Sequence, residues 1–237
     1  CRNKLQQVEN REEIKAELKQ EIEQQEKTVW NQAREISEKR SNAAGKLEKE
    51  IGGLLAGLGM AKSRFAIRMD RREGASGKPT CTQYGIDEPE FLIAPNVGEP
   101  LRPLRSIVSG GEMSRVMLAI KTVLADTDSI EALVFDEIDA GIGGEVALAV
   151  GNHLRELSRY KQVLCITHLA SIAVRADNHI RVEKALKGER TVTTVSHVSG
   201  DLRVEEIARM LAGDKTGKTS RVHAEELLEK YGNHGQN

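Results

Sequence analysis

Apolar residues along the first fifty-one positions recur at Ile14, Leu18, Ile22, Val29, Ile36, Ala43, Leu47 and Ile51, four or seven apart. They stand among 11 basic and 11 acidic residues, with no proline and one glycine. A narrow stripe of this period in a charged background predicts a long helix that buries one seam against a partner helix, as in an antiparallel coiled-coil arm. Gln25, Gln32 and Lys39 interrupt the second apolar row, and a charged single helix on a surface is the other reading of the same stripe. Gly52, Gly53, Gly57 and Gly59 are expected to end this helix. All five prolines lie between Pro79 and Pro103, which excludes a central helix there. The runs 64–69 and 90–94 read as strands of a hairpin, joined through a Gly/Pro/Ser-rich turn around 74–78.

From Ser109 the pattern sharpens. Met113, Val116, Met117, Ile120, Val123 and Leu124 give one apolar face of a helix over 109–126. Residues 131–137 form a short apolar run ending in two acids, which predicts a buried strand. Val146, Val150, Leu154 and Leu157 predict a second helix, and 162–168 a second buried strand. Strand, helix and strand within about forty residues make a βαβ unit, with two parallel strands that present their functional groups at their carboxyl ends. A hairpin over 179–198, turning at 187–189, and two helices over 203–212 and 220–231 complete the expected order.

Composition adds mainly exclusions. Lys and Arg number 35 against 36 Asp and Glu, a net charge of -1, so charge alone names no partner. No run approaches the roughly 18 continuous apolar residues of a membrane span, and the first twenty residues are too charged for a secretory signal. A soluble, cytoplasmic protein is expected. Cys1, Cys81 and Cys165 are too scattered for a disulfide framework or a zinc site. The chain opens within a helical pattern and without Met, as a piece of a longer protein would.

Three short segments carry chemistry. Ser109-Gly110-Gly111-Glu112 opens the first amphipathic helix; Ser at the N-cap and Glu three residues on make a capping box, which by itself needs no ligand. The glycines cost about 1 kcal/mol each in a helix relative to Ala, whereas they would let a phosphate approach the N–H groups at the positive helix end. Asp136-Glu137 ends a strand where P-loop ATPases hold Mg²⁺ and polarise water, although acids also simply terminate strands. Thr167-His168 ends the neighbouring strand, which brings His168 beside the two acids if the βαβ unit forms.

The order Ser109–Glu112, Asp136-Glu137, His168 matches that of signature motif, Walker B and switch histidine in ABC-type ATPases. Within that superfamily the wording Pro103-Leu-Arg-Ser-Ile-Val-Ser-Gly-Gly-Glu-Met-Ser-Arg115, Phe135-Asp-Glu-Ile-Asp-Ala-Gly-Ile-Gly143, Thr167-His-Leu169 and Glu206-Ile-Ala-Arg-Met-Leu211 resembles the bacterial RecN family of SMC-like DNA repair ATPases over essentially the whole chain. The resemblance implies an α/β fold, the C-terminal half of an ABC/SMC-type P-loop ATPase head, with residues 1–58 as the returning coiled-coil helix and 59–237 as the half-head. It implies that Ser109, Gly110, Gly111 and Glu112 meet the γ-phosphate of ATP on an opposing head, with Glu112 in place of the commoner Gln. Asp136 would hold Mg²⁺ through water, Glu137 would activate the attacking water and His168 would sense the γ-phosphate. Asp139 and Gly141 fall in the D-loop that crosses the dimer interface; its usual final Asp is replaced by Gly143. The implied partners are an N-terminal half-head carrying Walker A, a second ATP-bound head and DNA, and the chain alone is expected to be inactive.

Residues 212–219 satisfy a loose Walker A pattern, yet helical spacing precedes them where a P-loop requires a buried strand, so Lys218 is read as an ordinary surface residue. Lys62, Arg64, Arg68, Arg71, Arg72 and Lys78 form a basic cluster able to meet phosphates non-specifically, which Asp70 and Glu73 dilute; a solvated hairpin is the simpler reading. Two rivals share parts of this pattern. Another SMC- or Rad50-type ATPase would share the catalytic residues but not the 206–211 wording, and a non-catalytic coiled-coil scaffold would retain the motifs as relics.

Overall fold

The computed structural model describes residues 2–74, 79–107, 109–187, 190–213 and 217–232. They form two compact units, 1–48 with 66–92 and 49–65 with 93–237. The expected turn at 74–78 and Lys78 of the basic cluster, as well as the tip of the 187–189 turn, lie largely outside the described residues.

Helix α1 runs Arg2–Leu55, 54 residues and about 80 Å at 1.5 Å per residue. Its stripe residues Ile14, Leu18, Ile22, Val29 and Ile36 are exposed, while Ala33 and Ala44 are buried. Within the first unit the helix is gripped from the side. Ser37 Oγ donates to Asp87 Oδ1 (2.6 Å) and Arg40 Nη1 to Asp87 Oδ2 (3.0 Å), and the Asp87 carboxylate is buried. Glu48 accepts the Ile67 N–H at 2.6 Å. A buried carboxylate with charged and hydroxyl partners is satisfied rather than costly, so these bonds fix one face of α1 against the 66–92 stretch. The helix outlasts the expected stop: Gly52 and Gly53 are still helical, and the chain breaks out only in a wide turn, Ala56–Met60, where Gly59 adopts φ 78°. That left-handed conformation is the usual way a glycine ends a helix.

Strands β1 (Arg64–Arg71), β2 (Asp87–Ala94) and the short β3 (Arg102–Pro103) form one sheet in that order. In the second unit, α2 (Gly110–Val123), β4 (Ala132–Phe135), α3 (Gly144–Leu157) and β5 (Gln162–Cys165) follow as the spacing predicts, and β4 and β5 pair in parallel with Val134 opposite Leu164. Val116, Leu118 and Ala119 of α2, Ala147, Val150 and Leu157 of α3, and Phe135 and Ile138 make the core. Gly59 is needed here too, since a Cβ on it would come within 2.8 Å of Val146 Cγ1.

The expectation of two buried strands holds for one face only. Phe135 is buried, but Val134, Leu164 and Ile166, on the opposite side of the pair, are exposed at 68%, 47% and 60%. The short helix α4 (Ala170–Ala173) leads to the antiparallel hairpin β6 (His179–Lys187) and β7 (Arg190–Val198), then α5 (Gly200–Ala212) and α6 (Lys218–Tyr231). Ala170, Ala173, Val174, Ile207, Ala208 and Ala224 form a second apolar cluster that α4, α5 and α6 share. The hairpin also keeps one apolar face in solvent: Ile180, Val182, Leu186 and Val195 alternate to the same side and are all exposed. No helix among the described residues is long and apolar enough to cross a membrane.

Candidate active site

Ser109 is the N-cap of α2, in extended conformation, and its Oγ accepts the Glu112 N–H at 3.4 Å. The acceptor half of the expected capping box is therefore formed. The glycines have a packing reason that the sequence did not reveal. A Cβ on Gly111 would lie 2.9 Å from Ala140 Cβ and 3.0 Å from Glu137 O, and one on Gly110 would overlap the Glu137 carboxylate. The N-terminal turn of α2 thus presses on the loop that follows β4, and the positive helix end lies beside the Glu137 side chain, a favourable placement for an anion.

Asp136 and Glu137 leave β4 exposed to solvent. Asp136 Oδ1 accepts the Glu137 N–H at 2.9 Å. Glu137 has φ 56°, the sole positive value among the described non-glycine residues. Backbone strain of this kind costs on the order of 1–3 kcal/mol and persists where surrounding contacts over-determine it. Those contacts are present: Ser114 Oγ donates to Asp136 O (2.7 Å), and Arg115 Nη1 donates to Ile138 O (3.3 Å) and Ala140 O (3.0 Å). Arg115 is buried, and that burial lowers its guanidinium pKa, opposed by the Glu112 charge. The two carbonyls repay part of that desolvation.

The carboxylate of Asp139, expected at an interface, is turned into its own chain. Only 4% of the side chain is exposed; its Oδ2 accepts from Thr167 Oγ1 (2.6 Å) and His168 N (2.8 Å) and lies 3.0 Å from His168 Nδ1. The His168 ring itself is 75% exposed. Gly141 has φ 72° in the turn that reaches α3. Cys165, at the end of β5, has its thiol pKa raised to about 12 by burial and by the nearby Asp139 and Asp136 charges.

The structure therefore brings together all three segments singled out in the sequence, at the carboxyl ends of β4 and β5 and the N-terminus of α2. Reading the sequence alone missed Ser114, Arg115 and the bonding of Thr167. A signal was present for Arg115: Gly111, Arg115, Leu118 and Ala119 share the buried face of α2 by spacing, so an arginine there must be bonded internally. Among the described residues no group of three or more His, Cys, Asp and Glu could hold a metal ion. The exposed Asp136 carboxylate, already accepting one N–H, fits a cation held mainly by phosphate oxygens and water rather than by a protein cage. The Walker A look-alike begins at the last residue of α5, Ala212, so a helix and not a strand precedes it, and α6 starts within it at Lys218. The 206–211 segment is structural: buried Glu206 accepts from Arg209 Nε (3.0 Å) and Nη2 (2.6 Å) and lies 3.2 Å from Arg181 Nε, tying β6 to α5. In the basic cluster, Arg68 is paired with Asp70 at 2.7 Å and Glu90 at 2.5 Å.

The fold is that of an SMC-type head domain. The structure is similar to the SMC head domain with coiled coil and joint from Pyrococcus yayanosii, with TM-score 0.50 and 21% identity, over 77% of this chain and 32% of that one. By sequence the chain is a relative of RecN, a DNA repair protein. It is 50% identical over 214 residues to RecN of Treponema pallidum (strain Nichols), which is 90% of this chain and 37% of that protein. To RecN of Bacillus subtilis (strain 168) it is 40% identical over 235 residues, 95% of this chain and 41% of that protein. The chain thus spans roughly two fifths of the length of these curated relatives. No family model matches it.

Proposed function

We propose that this chain supplies the C-terminal half of an ATPase head, the catalytic centre of an SMC-like protein that acts in recombinational repair of DNA double-strand breaks in the bacterial cytoplasm, at the nucleoid. The observation that carries the reading is the convergence of the α2 N-terminus, Asp136-Glu137 and His168 on one end of the β4–β5 pair. Residues 1–58 serve as one helix of a coiled-coil arm and 59–237 as the half-head. Walker A comes from an N-terminal half-head, and the exposed apolar face at Val134, Leu164 and Ile166 supports such a partner.

In this reading ATP is held between two heads. Asp136 would hold Mg²⁺, which would supply positive charge to offset that of the phosphates. Glu137 takes a proton from the water that attacks the γ-phosphorus; His168 holds the γ-phosphate. Ser109, Gly110, Gly111 and Glu112 meet the nucleotide of the opposing head, and the loop from Asp139 through Gly141 to Gly143 runs along the head–head interface. Hydrolysis removes the γ-phosphate contact and releases the heads, so ATP sets how long the arms or head edges hold DNA.

The test is Glu137→Gln in a head assembled with the Walker A half. The amide keeps the size of the side chain and loses the base, so turnover should fall by about 10²–10⁴-fold while ATP-dependent dimers accumulate in size-exclusion chromatography. Adding Ser109→Arg should dissolve those dimers. A variant that hydrolyses ATP at the parental rate would refute Glu137 as the base, and an assembled parental head without turnover would leave the relic-scaffold reading standing.

A further inference from the structure

We propose that Asp139 is a positioning residue for His168: it fixes which nitrogen of the ring faces outward, and it is itself fixed by Arg115 of the signature helix. The inference rests on the ATPase reading for its consequence but on geometry for its existence.

Asp139 is buried and its neighbours in the loop are immobilised on both sides. Arg115 Nη1 holds the carbonyls of Ile138 and Ala140, the residues before and after it. Ala140 N–H also bonds Glu137 O at 3.0 Å. The carboxylate then reaches across to the end of β5, where Thr167 Oγ1 and His168 N–H donate to it. Thr167 Oγ1 in turn accepts the Leu169 N–H at 3.0 Å, and Ile166 N–H bonds Phe135 O at 2.9 Å. These contacts already satisfy Asp139 as a buried acid. His168 Nδ1, 3.0 Å from the same Oδ2, is therefore surplus to its burial, and the ring it belongs to is largely in solvent. An exposed ring resting with one nitrogen 3.0 Å from a buried carboxylate gains little stability from it; what the contact does is orient.

Two lone pairs facing each other at 3.0 Å would repel, so the proton belongs on Nδ1, and Nε2 is left on the outer edge of the ring. The arrangement repeats the logic by which a carboxylate sets the tautomer and direction of a histidine that must meet a ligand through its other nitrogen. It also links three segments in one chain. A displacement of α2 is carried by Arg115 to the backbone around Asp139, and from there to the ring.

The test combines a tautomer measurement with a double-mutant cycle. Long-range ¹H–¹⁵N NMR of the His168 ring in this chain, at a pH well above the ordinary histidine range, should report the Nδ1–H form. Asp139→Ala should shift it toward the Nε2–H form, and Asp139→Asn, which keeps the size of the side chain and loses the charge, should shift it in the same direction. If the alanine variant does not fold, the asparagine variant decides. In the assembled head, Asp139→Ala and His168→Ala should each lower kcat rather than raise KM. The loss for Asp139→Ala should be about ten- to a hundredfold, as when an orienting partner of a site histidine is removed, and the double variant should be no slower than His168→Ala alone. An unchanged tautomer in both Asp139 variants, or additive losses in the cycle, would overturn the proposal. A His168→Ala head with full turnover would instead overturn the ATPase reading of this histidine, and the tautomer result would still decide what Asp139 does.

Discussion

The contact between α2 and the loop after β4 can be tested by adding a single methyl group. In Gly111→Ala the new Cβ would stand 2.9 Å from Ala140 Cβ, 3.0 Å from Glu137 O and 3.2 Å from Ala140 O. Neither carbonyl can retreat freely, because Glu137 O accepts the Ala140 N–H and Ala140 O accepts Arg115 Nη1, both at 3.0 Å. Overpacking against fixed atoms costs about 1–3 kcal/mol, against which alanine gains up to about 1 kcal/mol of helix propensity. The net expectation is a loss of about 1–2 kcal/mol. For a chain of this size each kcal/mol moves Tm by about 2–4 °C, so thermal unfolding followed by circular dichroism should show a drop of about 2–8 °C. Gly110→Ala is the control. The three atoms nearest its Cβ all belong to the Glu137 side chain, which can swing away, so stability should hold or rise slightly while Glu137 is displaced and turnover of the assembled head falls. A Gly111→Ala chain as stable as the parent would refute the close packing of α2 on this loop.

Three further outcomes follow from other parts of the molecule. The Glu206 carboxyl is held below its ordinary value of 4.5, chiefly by the Arg209 hydrogen bonds, so its stabilising effect is complete above that value and fades as pH falls through the folded one. Glu206→Gln should lose about 1.5–3 kcal/mol at neutral pH and show a flatter acid limb in pH-dependent denaturation; a parallel acid limb would contradict the assignment. With its thiol pKa raised to about 12, Cys165 stays protonated at pH 8. Iodoacetamide should therefore label it far more slowly in the native chain than in urea, and equal rates would be the adverse result. Lys218 is exposed on the first turn of α6, and Lys218→Ala should change stability by less than about 0.5 kcal/mol and leave nucleotide affinity intact; lost affinity with the fold preserved would revive the look-alike phosphate loop.

Much of this site can be read from residue order because its parts are local. The apolar run before Asp136-Glu137, the Ser109 N-cap and the stripe along α2 each depend on neighbours within one or two turns, so periodicity and capping rules locate them, and the βαβ spacing implies the parallel pairing that brings His168 near the acids. The same local logic predicts α1, whose charged background and seven-residue recurrences leave no other regular structure. It fails at the end of that helix: Gly52 and Gly53 remain helical, because a glycine breaks a helix only where the chain must turn left-handed, and the packing of Gly59 against Val146 decides that point.

The sequence by itself determined the long elements, their order and the identity of the acids and the histidine, while the short β3 and α4 left no signal in it. The tertiary structure alone decided that the α2 glycines make room for Glu137 and Ala140, that Arg115 bonds the loop after β4, and that Asp139 turns inward to hold Thr167 and His168. It also decided that the outer face of the β4–β5 pair stays exposed. Each of these joins residues 23 to 30 positions apart whose side chains meet only after the sheet and helices have packed, and no spacing rule specifies which carbonyl an arginine will reach or which nitrogen of a histidine a buried carboxylate will hold.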